Sequence, residues 1–338
     1  MMEHKKTKAL VLPQYNDNLI RALLGLKVEE IEVTELKPGE VLVKLKASPC
    51  NPSDIAFIRG GYNIVKPVPV VPGFEASGVV VETAENTKHL LGKKVSCFSQ
   101  TDSDGTWSEF FRASAKDCII LKEKMDMRQA ACLSINPLTA VGLFQMVEQK
   151  EATAFIVNAA GGQVPEFMRV LAADKGIQVI NIVRKEQQVE DLKKKGEKYA
   201  FNSNDDNFDS LLQEASIELK PTLAFDAVAG DQTGQLLNAM PEGAEVVVYG
   251  GLSDQPSGNI NPMGLIFKNK TVSGFNLGHW IDSLPVDNFE KITQQVQDLF
   301  IEGKFHTEIQ AECKLNEAVQ GIRQYLKSMS AGKILLVP

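Results

Sequence analysis

Short hydrophobic runs separated by Pro and Gly dominate the chain up to about residue 125. In several of them apolar and polar positions alternate, which is the pattern of a β-strand that buries one face. The runs are "KALVL", "EEIEVTEL", "GEVLVKLKA", "ASGVVVETA", "KKVSCF" and "WSEFFRA". Their number and the turn residues between them predict a compact, partly open barrel.

The hydrophobic period changes after about residue 126, where apolar runs alternate with amphipathic stretches. The apolar runs predict buried strands at "TAFIVNA", "QVINIV", "YAFN", "LAFDAV", "AEVVVYG" and "TVSGF". The amphipathic stretches predict helices over 137–149, about 165–175, 186–195, 206–217 and 231–239. Such alternation is typical of a doubly wound parallel sheet, so the predicted fold class is α/β.

The tail predicts a helix over 287–302, a short strand, a helix over 315–329 and a last strand, "KILLVP". A chain of 338 residues suits two domains of roughly 150 residues each. We therefore expect a β-rich domain over 1–125, completed by residues 305–338, and a sheet domain over 126–304.

Composition and charge narrow the class of protein. With 43% hydrophobic and 23% charged residues, the chain has the make-up of an ordinary globular protein. Its net charge of −7 argues against nucleic acid as a partner, because phosphate binding draws on clustered Lys and Arg. "KKK" at 193–195 is best read as the solvated face of a helix. Residues 129–147 carry no charge, but Pro137 and several polar side chains favour a buried helix over a membrane span.

The cysteine spacing and the first twelve residues indicate the cellular compartment in which we expect the protein. Five cysteines are scattered along the chain without a CxxC pair: Cys50, Cys97, Cys118, Cys132 and Cys313. This spacing favours free thiols in a reducing compartment. The stretch "MMEHKKTKALVL" carries charge but no apolar core, so it does not indicate a signal peptide. We expect a cytoplasmic protein.

The stretch "VNAAGGQVPEFMRVLAADKGIQVINIVRKE", residues 157–186, has the pattern of a nucleotide-binding strand, loop, helix and strand. Gly161 and Gly162 are expected to let the backbone approach a pyrophosphate. Pro165 falls in the first helical turn, where its missing N–H has no intrahelical partner. Arg184 and Lys185 follow the second strand, and cations there suit a 2′-phosphate. NADPH is therefore preferred over NADH, although charges at a strand end are often merely solvated.

Over nearly its whole length the chain resembles the medium-chain dehydrogenase/reductase family, on the landmark "VPGFEASGVV" (71–80) with "PGEVLVKLKA" and "GKKV". The resemblance implies a GroES-like partly open barrel and a Rossmann-like sheet. The positions that hold catalytic zinc in metal-dependent members are occupied here by Asn51, Phe74 and Asn136, none of which supplies a thiolate or imidazole. The histidines also lie at no ligand spacing: His4, His89, His279 and His306. The family's four-cysteine structural lobe is missing, so we expect no metal.

Four stretches narrow the resemblance to the zinc-independent branch, which includes 2-enoyl thioester reductases and quinone oxidoreductases. They are "NPSDIAFIRGGYN" (51–63), "GTW" (105–107), "SINPLTA" (134–140) and "YGGLSDQPSGNINPMGLIFKNKTVSGFNLGHW" (249–280). Tyr62 stands where those reductases place their proton donor, and a phenol with a pKa of about 10 is neutral at pH 7 and can donate. The alternative is an aromatic ring that fills a glycine-rich loop. Asn51 and Asn136 resemble polar residues that line the nicotinamide end, or they cap helices just ahead of Pro.

The resemblance also implies cofactor-binding residues at the loop, at the second strand and at the end of the sheet. They are Gly161, Gly162, Gln163, Val164, Arg184, Lys185, Tyr249, Gly250, Gly251, Phe275, Asn276 and Leu277. Gln163 and Pro165 replace two family glycines, which predicts weaker cofactor binding rather than none. Asn276 replaces the Trp that follows Gly-Phe in enoyl thioester reductases, which disfavours long acyl chains and allows short enones or quinones.

Three functional hypotheses follow. The first is an NADPH-dependent reductase of an activated C=C in a 2-enoyl thioester or small enone, with Tyr62 as proton donor. The second, on the same scaffold, is an NADPH:quinone oxidoreductase. The third is a non-catalytic binding or scaffold protein that retains the fold while its altered loop, with Gln163 and Pro165, no longer takes a dinucleotide. The resemblance also implies a homodimer formed by pairing of edge strands of the sheet, and the strand "KTVSGF" (270–275) is the candidate edge.

Overall fold

Two compact units make up the protein in the computed structural model, which describes residues 6–99 and 105–338. One unit consists of residues 1–138 and 285–338, and the other of residues 139–284. The domain boundaries at residues 125 and 304 that the sequence predicts stay a prediction.

The first unit begins with seven strands and three short helices. The strands are β1 (Lys6–Val11), β2 (Lys27–Glu32), β3 (Glu40–Pro49), β4 (Glu75–Thr83), β5 (Lys94–Phe98), β6 (Phe110–Ser114) and β7 (Cys118–Ile120). The helices are α1 (Leu19–Gly25), α2 (Pro52–Ile58) and α3 (Met127–Ala131). Each of the six predicted runs overlaps one of the strands β1 to β6. β7 and the helices escape prediction because elements of three to seven residues are too short for a hydrophobic period to show.

Parallel strands and helices alternate through the second unit. The strands are β8 (Ala154–Val157), β9 (Gln178–Val183), β10 (Tyr199–Asn202), β11 (Leu223–Asp226), β12 (Glu245–Val248) and β13 (Thr271–Gly274). The helices are α4 (Asn136–Gln149), α5 (Gln163–Ala173), α6 (Glu186–Lys194), α7 (Phe208–Leu219), α8 (Asp231–Ala239), α9 (Pro262–Phe267) and α10 (Leu277–Ser283). All six strands and α4 to α8 lie where the sequence predicts them, whereas α9 and α10 are too short to predict.

The chain then returns to the first unit with α11 (Val286–Ile301), β14 (Ile309–Lys314), α12 (Ala318–Lys327) and β15 (Lys333–Val337). The main sheet of that unit has the order β14-β15-β3-β4-β5-β7, with β6 paired to β3. Only β14 and β15 pair in parallel, and the other neighbours are antiparallel. β1 and β2 form a separate antiparallel ribbon.

The core of the first unit is built from aromatic residues of distant segments. Phe57 of α2, Phe74 before β4 and Trp107 before β6 are almost completely buried in one cluster with Tyr325 of α12. Phe57 and Phe74 contact edge to face, with ring centroids 5.4 Å apart. This cluster fixes the turn before β4, on which part of the candidate site is built.

The sheet of the second unit has the order β10-β9-β8-β11-β12-β13, and every pair of neighbours is parallel. β9 is buried in five of its six positions, because helices cover both faces of such a sheet. The strand order reverses between β8 and β11, the point at which doubly wound sheets bind ligands at their carboxyl edge. The predicted α/β class, a β-rich barrel-like unit with a doubly wound parallel sheet, is confirmed.

The uncharged segment 129–147 forms two helices rather than one. α3 ends at Ala131 and α4 begins at Asn136, because Pro137 lacks the N–H that a continuing helix would need and is accommodated in a first turn. None of the helices in residues 6–99 and 105–338 is long and apolar enough to cross a membrane.

Candidate active site

A buried charged cluster lies in the first unit where β3, β4 and β15 meet. Asn51, Asp54, Glu75 and Lys333 are each at most 4% exposed. The Asn51 amide donates to Glu75 Oε1 at 2.8 Å, and its oxygen accepts a short hydrogen bond from the Lys333 ammonium. The backbone N–H of Ile135 donates to Glu75 Oε2 at 3.1 Å. Glu75 thus ties together the segments that carry the predicted residues Asn51 and Asn136.

The two carboxyl groups of this cluster share one ammonium. Burial raises the pKa of Asp54 to about 7, with the Glu75 carboxylate adding to the rise and the backbone N–H of Asn51 opposing it. Burial also raises the pKa of Glu75 to about 7, against the opposing Lys333 ammonium. Both groups ordinarily titrate at about 4. The cluster therefore takes up or releases a proton near neutral pH, as a coupled pair.

The three positions that correspond to zinc ligands carry side chains with neither a thiolate nor an imidazole. Asn51 begins α2, with the Asp54 carboxylate accepting from its backbone N–H at 2.7 Å, while its side chain turns to Glu75 and Lys333. Phe74 is buried in the aromatic core. Asn136 is half-buried at the first residue of α4. Across residues 6–99 and 105–338, no three His, Cys, Asp or Glu side chains come together as a metal-ligating group.

The histidines do not change this picture. His89, His279 and His306 are exposed, and His306 lies 3.6 Å from the Glu308 carboxylate. His4 lies outside the described residues.

Tyr62 lies in the loop after α2 and is half-buried. Its ring packs against Phe74, with centroids 5.2 Å apart and planes tilted by 34°. The ring therefore lies at the edge of the aromatic core. A catalytic role for the phenol is compatible with this position and stays a prediction.

In the second unit, the loop after β8 leads into α5 through two glycines. Gly162 is the N-cap of α5, and Gln163 and Val164 are its first residues. Ala159 has a φ of 46°, in the left-handed region, and the backbone N–H of Gly162 donates back to its carbonyl at 2.8 Å. Pro165 is buried in the first turn, and α5 continues without a break to Ala173. The loop therefore closes tightly even though it has lost its later glycines.

A buried arginine stabilises this loop by a hydrogen bond to its backbone. Arg169 of α5, only 6% exposed, donates from Nη1 to the carbonyl of Ala160 at 2.8 Å and to Asn181 Oδ1 of β9 at 3.0 Å. Its Nη2 forms a short ion pair with Glu166, and Lys195 reaches the other Glu166 oxygen at 2.9 Å. Lys195, predicted as part of a merely solvated face, is thus exposed and paired. The Arg169 contacts gave no signal in the sequence.

A second network interlocks the carboxyl ends of β8 and β11. The Asn158 amide donates to Asp226 Oδ1 at 2.6 Å, and its oxygen accepts from the backbone N–H of Ala227 at 2.7 Å. Thr233 of α8 donates to Asp226 Oδ2 at 2.7 Å. Asn158, Asp226 and Thr233 are fully buried. This network fixes the backbone at the point where the strand order reverses.

Arg184 and Lys185 follow the carboxyl end of β9, and both side chains are exposed. Their backbone is held by Asn204, whose amide donates to the Arg184 carbonyl at 2.8 Å. Within the described part of the chain neither side chain forms an ion pair. Two uncompensated positive charges therefore stand at the open end of this strand, and an anion can meet them there.

Tyr249, Gly250 and Gly251 follow the carboxyl end of β12. The backbone N–H groups of Tyr249 and Gly250 both donate to the Asp226 carbonyl, at 2.9 and 3.3 Å. A Cβ at Gly250 would lie 2.8 Å from the Ala227 carbonyl oxygen, so a side chain there requires the backbone to shift. Burial raises the pKa of the half-buried Tyr249 phenol, and the Asp226 carboxylate raises it further, so the group stays neutral.

Phe275, Asn276 and Leu277 lie where β13 passes into α10. Asn276 is the N-cap of α10 and accepts from the His279 backbone N–H at 2.9 Å, while Leu277 is buried. Phe275 and Asn276 line an open pocket of about 540 Å³ with Trp280, whose ring centroid is 6.2 Å from that of Phe275. Trp280, one helical turn after Asn276, therefore brings an aromatic wall to this pocket. Its spacing of four residues from Asn276 is the signal in the sequence that indicates this position.

Known proteins resemble this chain along its length. Residues 37–123 match the alcohol dehydrogenase GroES-like domain, and residues 168–297 match the family described as zinc-binding dehydrogenase. The mitochondrial enoyl-[acyl-carrier-protein] reductase of Caenorhabditis elegans is 28% identical, over 100% of this chain and 97% of that protein. The human protein of the same name is 26% identical, over 99% of this chain and 89% of that protein.

Solved structures agree with the fold. A Mesorhizobium loti protein provisionally assigned as an NADPH:quinone reductase has a TM-score of 0.93 at 29% identity, over 100% of both chains. The Etr1p/NADP/crotonyl-CoA complex has a TM-score of 0.81 at 22% identity, over 99% of this chain and 100% of Etr1p, which shows the shared fold.

Proposed function

Because this chain belongs to the medium-chain dehydrogenase/reductase family, in its zinc-independent branch, we propose that it is an NADPH-dependent oxidoreductase that reduces an activated C=C. The substrate class is a 2-enoyl thioester or a small enone. The observation that carries the proposal is the exposed pair Arg184 and Lys185, one strand away from a tight glycine loop at the sheet's reversal point. The similarity to enoyl reductases over the whole chain supports the substrate class.

The residues present fit the cofactor. Gly161 and Gly162 place backbone without side chains at the start of α5, where N–H groups and the helix dipole favour a pyrophosphate. Arg184 and Lys185 suit the 2′-phosphate, since a guanidinium and an ammonium both donate to phosphate oxygens. Gln163, Val164, Tyr249, Gly250, Gly251, Phe275, Asn276 and Leu277 complete the proposed set of cofactor-binding residues.

Tyr62 is the proposed proton donor. When bound, the cofactor supplies a hydride to the carbon β to the substrate's carbonyl. The Tyr62 phenol then gives its proton to the α-carbon and is reprotonated from water. Asn136 is proposed to line the reacting end. Asn51, with its amide bonded on both sides, acts as a positioning residue.

Substituting the phenol tests this role. Tyr62→Phe should lower kcat by about 10²-fold, as expected for loss of a general acid, and leave the Kd for NADPH unchanged. Tyr15→Phe is the matched control, because Tyr15 packs on the same core cluster and its hydroxyl bonds the Lys66 backbone at 2.9 Å. NADPH oxidation with crotonyl thioester is the assay. Equal kcat for the two variants would exclude Tyr62 as the donor.

Quinone reduction is the second candidate function. The Mesorhizobium loti structure supports it, as does Asn276 in the place of a Trp. NADPH absorbance followed with a crotonyl thioester and with a quinone separates the two substrate classes. No oxidation with either acceptor at saturating enzyme would refute both.

A scaffold without catalysis is the third candidate, motivated by Gln163, Pro165 and Asn276. Titration of the protein into NADPH, with nicotinamide fluorescence as the signal, decides it. A saturable rise supports the oxidoreductase, and a flat trace to millimolar cofactor supports the scaffold.

We propose a homodimer in the cytoplasm. β13 is an edge strand of the second unit's sheet, and the neighbouring α9 exposes Ile266 by 62% and Phe267 by 69%. A second copy would cover this apolar surface and pair with the strand edge. The curated relatives are described as mitochondrial, so imaging of the tagged protein is the test of its compartment.

A further inference from the structure

Two cysteines outside the proposed site face each other across neighbouring strands. Cys97 of β5 and Cys118 of β7 are direct partners in the antiparallel register. Their sulfur atoms are 3.9 Å apart. The two residues are separated by 20 others in the chain, so this contact is set by the sheet and not by local sequence.

The register places the pair where antiparallel strands come closest. The backbone N–H of Leu121 donates to the Lys94 carbonyl at 2.9 Å, so Lys94 and Leu121 are a hydrogen-bonded pair. Hydrogen-bonded and non-hydrogen-bonded pairs alternate along an antiparallel ladder. Counting three positions along, Cys97 and Cys118 are a non-hydrogen-bonded pair. Such pairs have Cα atoms about 4.5 Å apart, within the range that a disulfide spans.

The two thiols differ in their exposure to solvent. β7 is the last strand of its sheet, and Cys118, its first residue, is half-buried, whereas Cys97 is fully buried. The hydrogen bond with Cys118 and burial raise the pKa of the Cys97 thiol. An oxidant therefore meets Cys118 first, and Cys97 is the second sulfur to react.

We propose that Cys97 and Cys118 are a modification site, at which a hydroperoxide converts the two thiols into a cross-strand disulfide. The Cys118 thiol loses its proton and the thiolate attacks one peroxide oxygen. The O–O bond breaks, a sulfenic acid forms, and the other oxygen takes up the proton that Cys118 released and leaves as water or alcohol. The Cys97 sulfur then attacks the sulfenic sulfur, the S–O bond breaks, and the departing hydroxide takes the Cys97 proton as water. Two thiols are oxidised and one peroxide is reduced.

The bond would fasten an edge strand that is otherwise held by a few polar contacts. β7 spans three residues, and Gln297 of α11 bonds both sides of its end, to the Ile120 carbonyl and the Lys122 N–H. Closing the loop between Cys97 and Cys118 removes chain entropy from the unfolded state. The oxidised protein should therefore melt about 5–10 °C higher than the reduced protein.

Intact mass and peptide mapping of the full chain after hydrogen peroxide treatment test the proposal. We expect the loss of two hydrogens, a Cys97–Cys118 linked peptide, and a higher melting temperature that dithiothreitol reverses. Cys118→Ser should abolish all three. Cys313→Ser is the matched control, since Cys313 is also half-buried on an edge strand, and it should behave as the parent.

Three outcomes would overturn the proposal. They are an unchanged mass in the parent protein, oxygen added to Cys118 with no linked peptide, or the same mass loss in Cys118→Ser. Each readout is independent of NADPH oxidation, so a failure here leaves the proposed function untouched.

Discussion

At the scale of single residues, the buried cluster in the first unit places two acids against one base. Asp54 and Glu75 are completely buried and share Lys333, with Cys50, Cys132 and Tyr325 close enough to feel their charge. Burying an ion pair costs desolvation that the attraction only partly offsets, and a second carboxylate adds repulsion. Protonation of these acids in the folded state therefore removes part of the cost of burying them.

This arrangement predicts that stability falls as pH rises. The folded-state pKa values of about 7 exceed the unfolded values of about 4, so the folded protein holds the extra protons between these limits. The contribution is complete below pH 4 and is lost as pH rises through 7, by up to about 1.4 kcal/mol per pH unit for each group. Glu75→Gln should roughly halve this loss, measured as urea unfolding at pH 5 and pH 7.5.

The control is Glu29→Gln, which removes a carboxylate from an exposed position of β2. It should follow the parent curve. A Glu75→Gln curve parallel to the parent would show that the buried carboxyls do not titrate in this range.

Arg169 is a second residue whose contribution to stability depends on its hydrogen-bond and ion-pair partners. Arg169→Met keeps the bulk of the side chain but removes the donors to the Ala160 carbonyl and Asn181, at a cost of about 3 kcal/mol. It should also weaken NADPH binding about tenfold, because the loop loses its support. Lys195→Met removes only the exposed partner of Glu166 and should cost less than about 1 kcal/mol. Equal melting temperatures for the two variants would contradict this account.

At the scale of elements, α8 lies against the backbone of the segment that precedes α9. Gly234 of α8 donates its backbone N–H to the Gly258 carbonyl at 3.1 Å, and a Cβ there would meet the Asn259 carbonyl oxygen at 2.0 Å. Backbone cannot yield as a flexible side chain does. The close approach therefore depends on this one glycine.

Gly234→Ala should destabilise the protein by about 3 kcal/mol, although alanine is the better helix former by about 1 kcal/mol. Gly264→Ala is the matched helical control, because its nearest contact would be the Lys270 Cδ at 3.5 Å. It should be neutral or slightly stabilising. Thermal unfolding of both variants is the measurement, and equal shifts would refute the packing argument.

The features that could be predicted from the sequence are those set by interactions between residues close together in the chain. β9 and α8 are predicted at their observed bounds because β9 is a short continuous apolar run and α8 buries one helical face. Glu75 stands inside an apolar run and Lys333 heads another, but their shared partner Asn51 is distant from Lys333 by 282 positions. Nothing local specifies such a contact. The loop glycines and the two cations after β9 follow from the strand, loop and helix pattern, whereas Asn51 and Tyr62 were found only through resemblance. The side chains that support them came from the structure.

At the scale of the whole molecule, the proposed homodimer can be tested with a single substitution. Phe267→Asp should convert a dimer into a monomer, because it buries a charge in the proposed apolar interface. Light scattering after size exclusion measures the mass. Ile217→Asp, at a residue 66% exposed on α7, is the control and should stay dimeric. A monomeric parent protein at micromolar concentration would remove the proposed interface.

The interleaved strand order of the first unit has a consequence for biosynthesis. β15 inserts between β14 and β3, and it carries Lys333, the ammonium that Asp54 and Glu75 share. A ribosome delivers the whole of the second unit before it makes either strand. The contiguous second unit can therefore fold while translation continues. The first unit cannot complete its sheet until β14 and β15 are made, and until then Asp54 and Glu75 lack the Lys333 ammonium. During that period the incomplete unit is expected to be a target for chaperones.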